Sequence, residues 1–169
     1  MKKKNIVLIG MSGVGKSTIG KELSKSLSKK FIDLDSIIAK NSNQNLQSLL
    51  NTLGDKEFIK LEEQVCLSLN FDNIVCAPGG SLIYSKKAIE YCKQHAILIY
   101  LEDTYENIIK RIPNIQDRGI VGLLSESYED IFLERQPLYE KYQDVTISCT
   151  NKSWLTITKE IEAYLTKDT

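Results

Sequence analysis

An eight-residue glycine-rich segment near the start of the chain constrains the fold more than any other feature. It reads Gly10-Met11-Ser12-Gly13-Val14-Gly15-Lys16-Ser17 and matches the G-x-x-x-x-G-K-[ST] pattern of phosphate-binding loops. An apolar run precedes it and an amphipathic helical period follows, which is the context that this pattern requires. Since the glycines let backbone N–H groups converge on an anion, the segment predicts a site for nucleotide phosphates. Its predicted nucleotide-binding residues are Gly13, Val14, Gly15, Lys16, Ser17 and Thr18.

Five apolar segments predict β-strands. Residues 5–9, 73–77 and 96–101 are continuous β-branched and aliphatic runs, typical of strands buried on both faces of a parallel sheet. Residues 30–34 and 144–148 are shorter candidates. Helical periods are predicted over residues 17–28, 46–53, 55–68, 86–94, 105–111, 128–142 and 154–165. This alternation predicts an α/β fold of three layers, with a five-stranded parallel sheet flanked by helices and ligands beyond the carboxyl ends of the strands.

The size and charge of the chain limit its partners. Its 169 residues suit one domain, 1–169, with no internal repeat or linker. Lys plus Arg number 22 and Asp plus Glu number 22, so the net charge does not attract nucleic acid or an anionic membrane. No apolar run approaches the roughly 20 residues that cross a bilayer, and nothing resembles an export signal. We therefore expect a cytoplasmic protein, monomeric by default, with no nucleic-acid or membrane partner.

Two carboxylates stand at the end of the second predicted strand. Alternate residues of a strand share a face, so Asp33 and Asp35 are expected to point together toward the phosphate site. Asp33 and the Ser17 hydroxyl are candidate ligands of Mg²⁺, and Asp35 is a candidate to accept a proton or hydrogen bond from an attacking hydroxyl. The alternative role for Asp35 is to cap a helix that begins near Ser36.

The remainder of the chain favours one use of the nucleotide over others. The segment Asn151-Lys152-Ser153-Trp154 lacks the final Asp of the base-reading N-K-x-D sequence of GTPases, and no suitable D-x-x-G switch precedes it. The chain is also short for a motor ATPase. A kinase that transfers a phosphoryl group from Mg²⁺-bound ATP to a hydroxyl of a small molecule is therefore the favoured interpretation.

Several motifs together resemble the shikimate kinase family over nearly the whole chain. Besides the phosphate-binding loop they are, in order, Phe31-Ile32-Asp33-Leu34-Asp35, the segment from Phe58 to Glu62, Pro78-Gly79-Gly80-Ser81 and Glu134-Arg135-Gln136-Pro137-Leu138-Tyr139. The resemblance implies the P-loop fold of nucleoside monophosphate kinases. It also implies a substrate-binding subdomain near residues 35–62, a lid near residues 112–123, and ATP, Mg²⁺ and shikimate as ligands.

The resemblance assigns roles to individual residues. It implies that Lys16, Asp35 and the lid residue Arg118 are catalytic, with Arg118 reaching the transferred phosphate. Substrate-binding residues would be Asp35, Gly79, Gly80 and Arg135, the last pairing with the carboxylate of shikimate. Arg111, Asn151 and Lys152 would contact the adenine. The alternative for each arginine is a solvated surface charge.

Three positions depart from the family's pattern, and all three concern the acceptor and the lid. Ile59 stands where F-R-x-x-E motifs carry an arginine, Ser81 replaces the last of three glycines, and Arg118-Gly119-Ile120 replaces Arg-Pro-Leu. Lys60 does not simply substitute, because one helical step rotates a side chain by about 100° and an ammonium lacks the planar fork of arginine. Two alternatives stay open: a related kinase with another small hydroxylated acceptor, and a nucleotide-binding protein with weak transferase activity.

Overall fold

The computed structural model describes residues 5–167, which form a five-stranded sheet flanked by helices. The strands are β1 (Asn5–Ile9), β2 (Lys30–Asp33), β3 (Ile74–Ala77), β4 (Ala96–Glu102) and β5 (Val145–Ser148). The helices are α1 (Lys16–Ser26), α2 (Leu34–Ser42), α3 (Leu46–Leu67), α4 (Lys86–His95), α5 (Tyr105–Lys110), α6 (Tyr128–Tyr142) and α7 (Trp154–Lys167). Short 3₁₀ helices span Gly80–Tyr84 and Ile115–Asp117.

All strand pairs in the sheet are parallel, in the order β2-β3-β1-β4-β5. The central strand β1 is buried along its whole length, with Ile6 opposite Val75 of β3 and Leu8 opposite Ile99 of β4. This burial explains why β1 is apolar without alternation. The predicted fold class is confirmed.

The long helix α3 contains a break where the sequence predicts two helices. Gly54 has φ 76° and ψ 166°, so it is not helical and separates the segments 46–53 and 55–67. Glycine adopts this conformation without steric cost, because it has no Cβ. The two helical periods read from the sequence are therefore real, joined by a kink.

The structure corrects the sequence argument about the second strand. β2 ends at Asp33, and Asp35 lies in the first turn of α2, so alternation along a strand does not bring the two carboxylates together. The cap of α2 is Asp33, whose Oδ1 accepts a hydrogen bond of 3.0 Å from the backbone N–H of Ser36. The alternative role for Asp35 as the cap is wrong as well. The helix starts two residues earlier than expected because Asp33, an extended residue, supplies the capping oxygen.

Among the described residues, none of the helices combines the length and the apolar composition needed to cross a membrane.

We expect Ile99→Ala to lower the free energy of unfolding by about 2–5 kcal/mol, since it removes a side chain that is fully buried in β4. Urea denaturation would measure the change. Leu133→Ala on α6, where the residue is 60% exposed, is the control and should change the free energy by less than about 0.5 kcal/mol. Equal losses in the two variants would contradict the placement of β4 in the core.

Candidate active site

One cavity of about 450 Å³ is lined by residues that follow all five strands. Parallel strands end at the same edge of a sheet, so the loops after them converge there. The lining residues are Ser12, Gly13, Gly15, Lys16, Ser17, Thr18, Asp33, Asp35, Ala77, Pro78, Gly80, Arg111, Arg118 and Trp154. The structure thus brings most of the predicted site residues to one place.

The phosphate-binding loop holds its lysine beneath the glycine turn. Gly13 and Gly15 have φ of 87° and 112°, a region that favours glycine. Lys16 is 8% exposed, and its Nζ donates hydrogen bonds to the carbonyls of Gly10, at 2.7 Å, and Met11, at 2.8 Å. Burial lowers the pKa of Lys16 to about 8, although Asp35 opposes that shift. An anion in the loop would therefore meet a desolvated cation and gain more from it than in water.

The two predicted metal ligands are in contact. The Ser17 hydroxyl donates a hydrogen bond of 2.7 Å to Oδ2 of Asp33, while Oδ1 of Asp33 caps α2. A hydroxyl and a carboxylate oxygen at this separation fit neighbouring ligands of Mg²⁺, which prefers oxygen donors at about 2.0–2.1 Å in octahedral geometry. Within residues 5–167 no group of three or more His, Cys, Asp or Glu side chains is placed to hold a metal ion. A cation here would thus need phosphate or water oxygens as further ligands.

Asp35 faces the cavity from α2 and is only partly exposed. Burial raises the pKa of its carboxyl group to about 6; the charge of Lys16 opposes the shift and that of Asp33 adds to it. The carboxylate form therefore prevails at neutral pH, with a proton affinity above that of an ordinary aspartate. Such a group can accept a proton or a strong hydrogen bond from a hydroxyl.

At Gly79 and Gly80 a side chain would come too close to neighbouring groups. A Cβ on Gly79 would collide with Oε1 of Glu62 and lie 2.8 Å from Oδ1 of Asp35. A Cβ on Gly80 would lie 3.0 Å from Nη1 of Arg135 and 3.2 Å from the hydroxyl of Tyr139. Because neither residue has a Cβ, charged side chains approach the backbone closely at both positions.

Arg135 is buried, with 1% exposure, beside the cavity and is not among the residues that line it. Its Nη2 donates a hydrogen bond of 2.8 Å to the carbonyl of Val121, its Nε donates one of 3.2 Å to the hydroxyl of Tyr84, and its guanidinium lies 5.1 Å from the Tyr84 ring centre. The side chain is therefore held rigidly, with Nη1 next to Gly80. This arginine also fixes the end of the predicted lid segment.

The predicted lid segment is attached to α3. Gly119, with φ of 60°, donates its N–H to Oε1 of Gln47 at 2.9 Å. Proline has neither this φ nor an N–H, so the departure at Gly119 has a local structural reason. Arg118, the neighbouring residue, is exposed and lines the cavity.

Sequence reasoning missed two residues that fix Arg111. The Arg111 Nη2 forms an ion pair of 2.7 Å with Oδ2 of the buried Asp103, and its guanidinium lies 5.1 Å from the ring centre of Trp154. Burial opposes ionisation of Asp103, yet hydrogen bonds from Asn107, Thr104, Arg111 and Thr150 together lower its pKa. Trp154, the chain's single tryptophan, lies two residues after Lys152 of the predicted adenine-binding loop, and that position was the available signal.

Other predicted nucleotide contacts are not on the cavity wall. Val14, Asn151 and Lys152 are not among the lining residues, and Lys152 pairs with Glu160 of α7 at 2.8 Å. Gly79, a predicted substrate contact, is not among the lining residues either. Contacts of these residues with ligands stay predictions.

One face of α6 ties the parts of the site together. The Tyr128 hydroxyl donates to the carbonyl of Ser12 in the phosphate-binding loop, and the Tyr139 hydroxyl donates to the carbonyl of Gly80 at 2.7 Å. Arg135 lies between them on the helix and bonds to the lid segment. Residues four or seven positions apart share a helix face, so this spacing was the signal in the sequence.

Comparison with known proteins agrees with this geometry. The family model described as "Shikimate kinase" matches residues 12–166. The chain belongs to the shikimate kinase family. It is 31% identical to the shikimate kinase of Francisella tularensis subsp. novicida, over 100% of this chain and 98% of that protein. It is 34% identical to that of Haemophilus influenzae, over 86% and 83% of the two chains.

Solved structures of the family share the fold. A shikimate kinase from Acinetobacter baumannii, in complex with shikimate, superposes with a TM-score of 0.89 at 26% identity, covering 98% of this chain and 94% of that one. The predicted family resemblance is confirmed, and the chain is an ATP-dependent small-molecule kinase.

Asp103→Asn should weaken ATP binding, because Arg111 loses its anionic partner and Trp154 then faces a mobile side chain. A loss of about 1 kcal/mol raises the KM for ATP about 5-fold, while the KM for the acceptor should stay within 2-fold. Steady-state kinetics with each substrate varied would measure both. Glu106→Gln removes an exposed negative charge nearby and serves as the control; equal effects of the two changes would contradict a positioning role for Asp103.

Proposed function

We propose that this protein transfers the γ-phosphate of ATP to the 3-hydroxyl of shikimate, a step of aromatic amino-acid (chorismate) biosynthesis. The observation that carries the proposal is the position of Asp35: its carboxylate lines the same cavity as Lys16 of the phosphate-binding loop. A hydroxyl held by Asp35 would therefore lie next to a phosphate held by the loop. Membership of the family supports shikimate as the molecule that carries this hydroxyl.

On the nucleotide side, the loop residues 13–18 hold the β- and γ-phosphates through backbone N–H groups and Lys16. Ser17 and Asp33 would hold Mg²⁺, which would neutralise phosphate charge when bound. Arg111 and Trp154 lie where the adenine would stack, with Asn151 and Lys152 in the adjoining loop. Arg118 reaches the transferred phosphate from the lid.

On the acceptor side, Asp35 orients the attacking hydroxyl and takes its proton. The hydroxyl oxygen forms a bond to the γ-phosphorus while the bond from that phosphorus to the bridging oxygen of ADP breaks. Phosphoryl transfer needs positioning and charge neutralisation, and no covalent nucleophile. Gly79 and Gly80 leave room for the ring, and Nη1 of Arg135, beside Gly80, is the group available to a carboxylate.

The same proposal includes the coarser features of the molecule. Residues near 35–62 form the acceptor subdomain and residues near 112–123 the lid, and the contact between Gly119 and Gln47 supports closure of one on the other. The proposal also includes that the protein is a cytoplasmic monomer that binds neither nucleic acid nor a membrane.

A coupled assay of ADP release with shikimate and a panel of other hydroxylated metabolites tests this function. Release that depends on shikimate, and that Lys16→Ala nearly abolishes, is the expected result. If ADP is released with another acceptor and not with shikimate, that acceptor is the substrate. ATP binding without release with any acceptor would show a nucleotide-binding protein with weak transferase activity.

Asp35→Asn should lower kcat by at least about 100-fold, because an amide does not take a proton from the attacking hydroxyl and general base catalysis contributes about 10²–10⁴-fold. ATP affinity, measured by calorimetry, should stay within about 3-fold. Lost ATP affinity with unchanged acceptor binding would mean that Asp33 and Asp35 have the opposite roles.

Ile59→Arg should lower the KM for shikimate. Ile59 lies three residues before Glu62 on α3, and such residues share a helix face, so an arginine there would reach the acceptor side. A charge-assisted hydrogen bond contributes roughly 1.5–3 kcal/mol, or about 10- to 150-fold in affinity. Lys60→Arg, exposed one position further, is the control. No gain with shikimate and lost activity on another acceptor would favour that acceptor.

A further inference from the structure

Side chains hold three consecutive carbonyl groups of the phosphate-binding loop. Lys16 donates to the carbonyls of Gly10 and Met11. The next carbonyl, that of Ser12, accepts a hydrogen bond from the hydroxyl of Tyr128 on α6. The lysine belongs to the loop motif itself, whereas the tyrosine comes from a helix 116 positions further along the chain. Neither the sequence motifs nor the proposed function gives Tyr128 a role in the reaction.

The bond from Tyr128 fixes the direction of one N–H group of the loop. The carbonyl of Ser12 and the N–H of Gly13 belong to the same peptide unit, which is planar and trans, so the two groups point in opposite directions. Gly13 lines the cavity, and no hydrogen bond recorded within residues 5–167 uses its N–H. Since the hydroxyl holds the carbonyl toward α6, this N–H is turned away from α6 and is available to a phosphate.

Tyr128 is itself held in place by its surroundings. It is 5% exposed, and the centre of its ring lies 6.2 Å from that of Tyr105. Burial raises the pKa of its hydroxyl well above the ordinary value, although the charges of Arg135 and Arg118 oppose the shift. The hydroxyl therefore keeps its proton and stays a hydrogen-bond donor at the neutral pH of an assay.

A second tyrosine on the same face of α6 acts on the acceptor side. Tyr139 lies 11 residues after Tyr128, which is about three helical turns, and it donates to the carbonyl of Gly80 at 2.7 Å. The two loops approach each other here, because a Cβ on Gly80 would lie 3.3 Å from the backbone nitrogen of Ser12. One helix thus holds both loops, each through a different hydroxyl.

We propose that Tyr128 is a positioning residue for phosphoryl transfer, which acts through the Ser12–Gly13 peptide to aim a backbone N–H at the phosphates of the nucleotide. Tyr128 is not among the residues that line the cavity, so it acts on the nucleotide only through the loop. A phosphate that draws Lys16 away from its carbonyls would leave the bond from Tyr128 to hold the loop in shape. This role rests on the proposed function, which places the β- and γ-phosphates in the loop.

Nucleotides with different numbers of phosphates test this role. Tyr128→Phe keeps the ring and removes the hydroxyl, so the Ser12 carbonyl loses its partner. The fluorescence of Trp154, the single tryptophan, reports binding in the cavity that it lines. With Mg²⁺ present, the Kd values for ADP and ATP should rise about 5- to 30-fold. The Kd for AMP, which has no β- or γ-phosphate, should change less than about 2-fold. An equal rise for all three nucleotides, or no rise for ADP and ATP, overturns the proposal.

Matched variants separate the hydroxyl of Tyr128 from its neighbours. Tyr105→Phe removes a hydroxyl from a ring that packs against those of Tyr128 and Phe132, and should keep the Kd for ADP within about 2-fold. In steady-state kinetics, Tyr128→Phe should raise the KM for ATP about 5- to 30-fold and keep the KM for shikimate within about 2-fold. Tyr139→Phe should show the opposite split. A rise of both KM values in Tyr128→Phe indicates a general loss of structure and overturns the proposal.

The outcomes also separate this role from the proposed function. If Tyr128→Phe does not fold, Tyr128→Met, whose flexible side chain adapts to the same space, is the second variant, with the same expected rises. The nucleotide titrations use no acceptor, so they decide the role of Tyr128 whichever acceptor is the substrate. Tyr128→Phe that binds ATP as tightly as the wild-type protein overturns the inference and leaves the kinase activity in place. Wild-type protein that binds neither ADP nor ATP overturns the proposed function together with the inference.

Discussion

The site depends on a single constraint of the fold: five parallel strands end at one edge of the sheet. Each strand is followed by a loop or helix that contributes at least one residue to the cavity, from the phosphate-binding loop after β1 to Trp154 after β5. Burial of β1 between β3 and β4 fixes the height of the phosphate-binding loop relative to Asp35 and Gly80. Pairing of the strands thus brings site residues from distant parts of the chain together, although the paired backbone takes no part in the reaction.

Burial of charge is the second physical theme of the site. Burial lowers the pKa of Lys16 and raises the pKa of Glu62, so both shifts favour the neutral form. Each is adjacent to groups that partly compensate the cost, namely carbonyls for the lysine and a serine hydroxyl for the glutamate. Such groups interact strongly with a ligand that brings the opposite charge or a missing hydrogen bond. Part of the stability lost by burying them is therefore available as binding energy.

The departures from the family's pattern become intelligible as local contacts. Ser81 is bonded to Glu62, and Gly119 supplies both the φ and the N–H that join the lid segment to Gln47. Ile59, where the family's motif carries an arginine, lies one turn before Glu62 on α3. The departures at Ile59 and Ser81 therefore concern the same carboxyl group. α6 holds these parts in register through Tyr128, Arg135 and Tyr139.

The sequence by itself determined the fold class, the phosphate-binding loop and the two helical periods on either side of Gly54. These features depend on the local periodicity of apolar residues and on the spacing of the glycines, lysine and serine in the phosphate-binding motif. It did not determine that Asp35 lies in a helix, because the capping bond from Asp33 decides where α2 begins. Only the tertiary structure placed Trp154 over Arg111, anchored that arginine on Asp103, and brought Glu62 and Asp35 to one side of Gly79. Trp154 and Arg111 are 43 positions apart, and Gly79 is 17 positions from Glu62 and 44 from Asp35, so these contacts form only where separate elements pack. The exception is the pair Arg111 and Asp103, whose eight-residue separation spans the turn before α5 and the helix itself. Pairings of this kind depend on the directions of side chains in the assembled molecule, which no local pattern encodes.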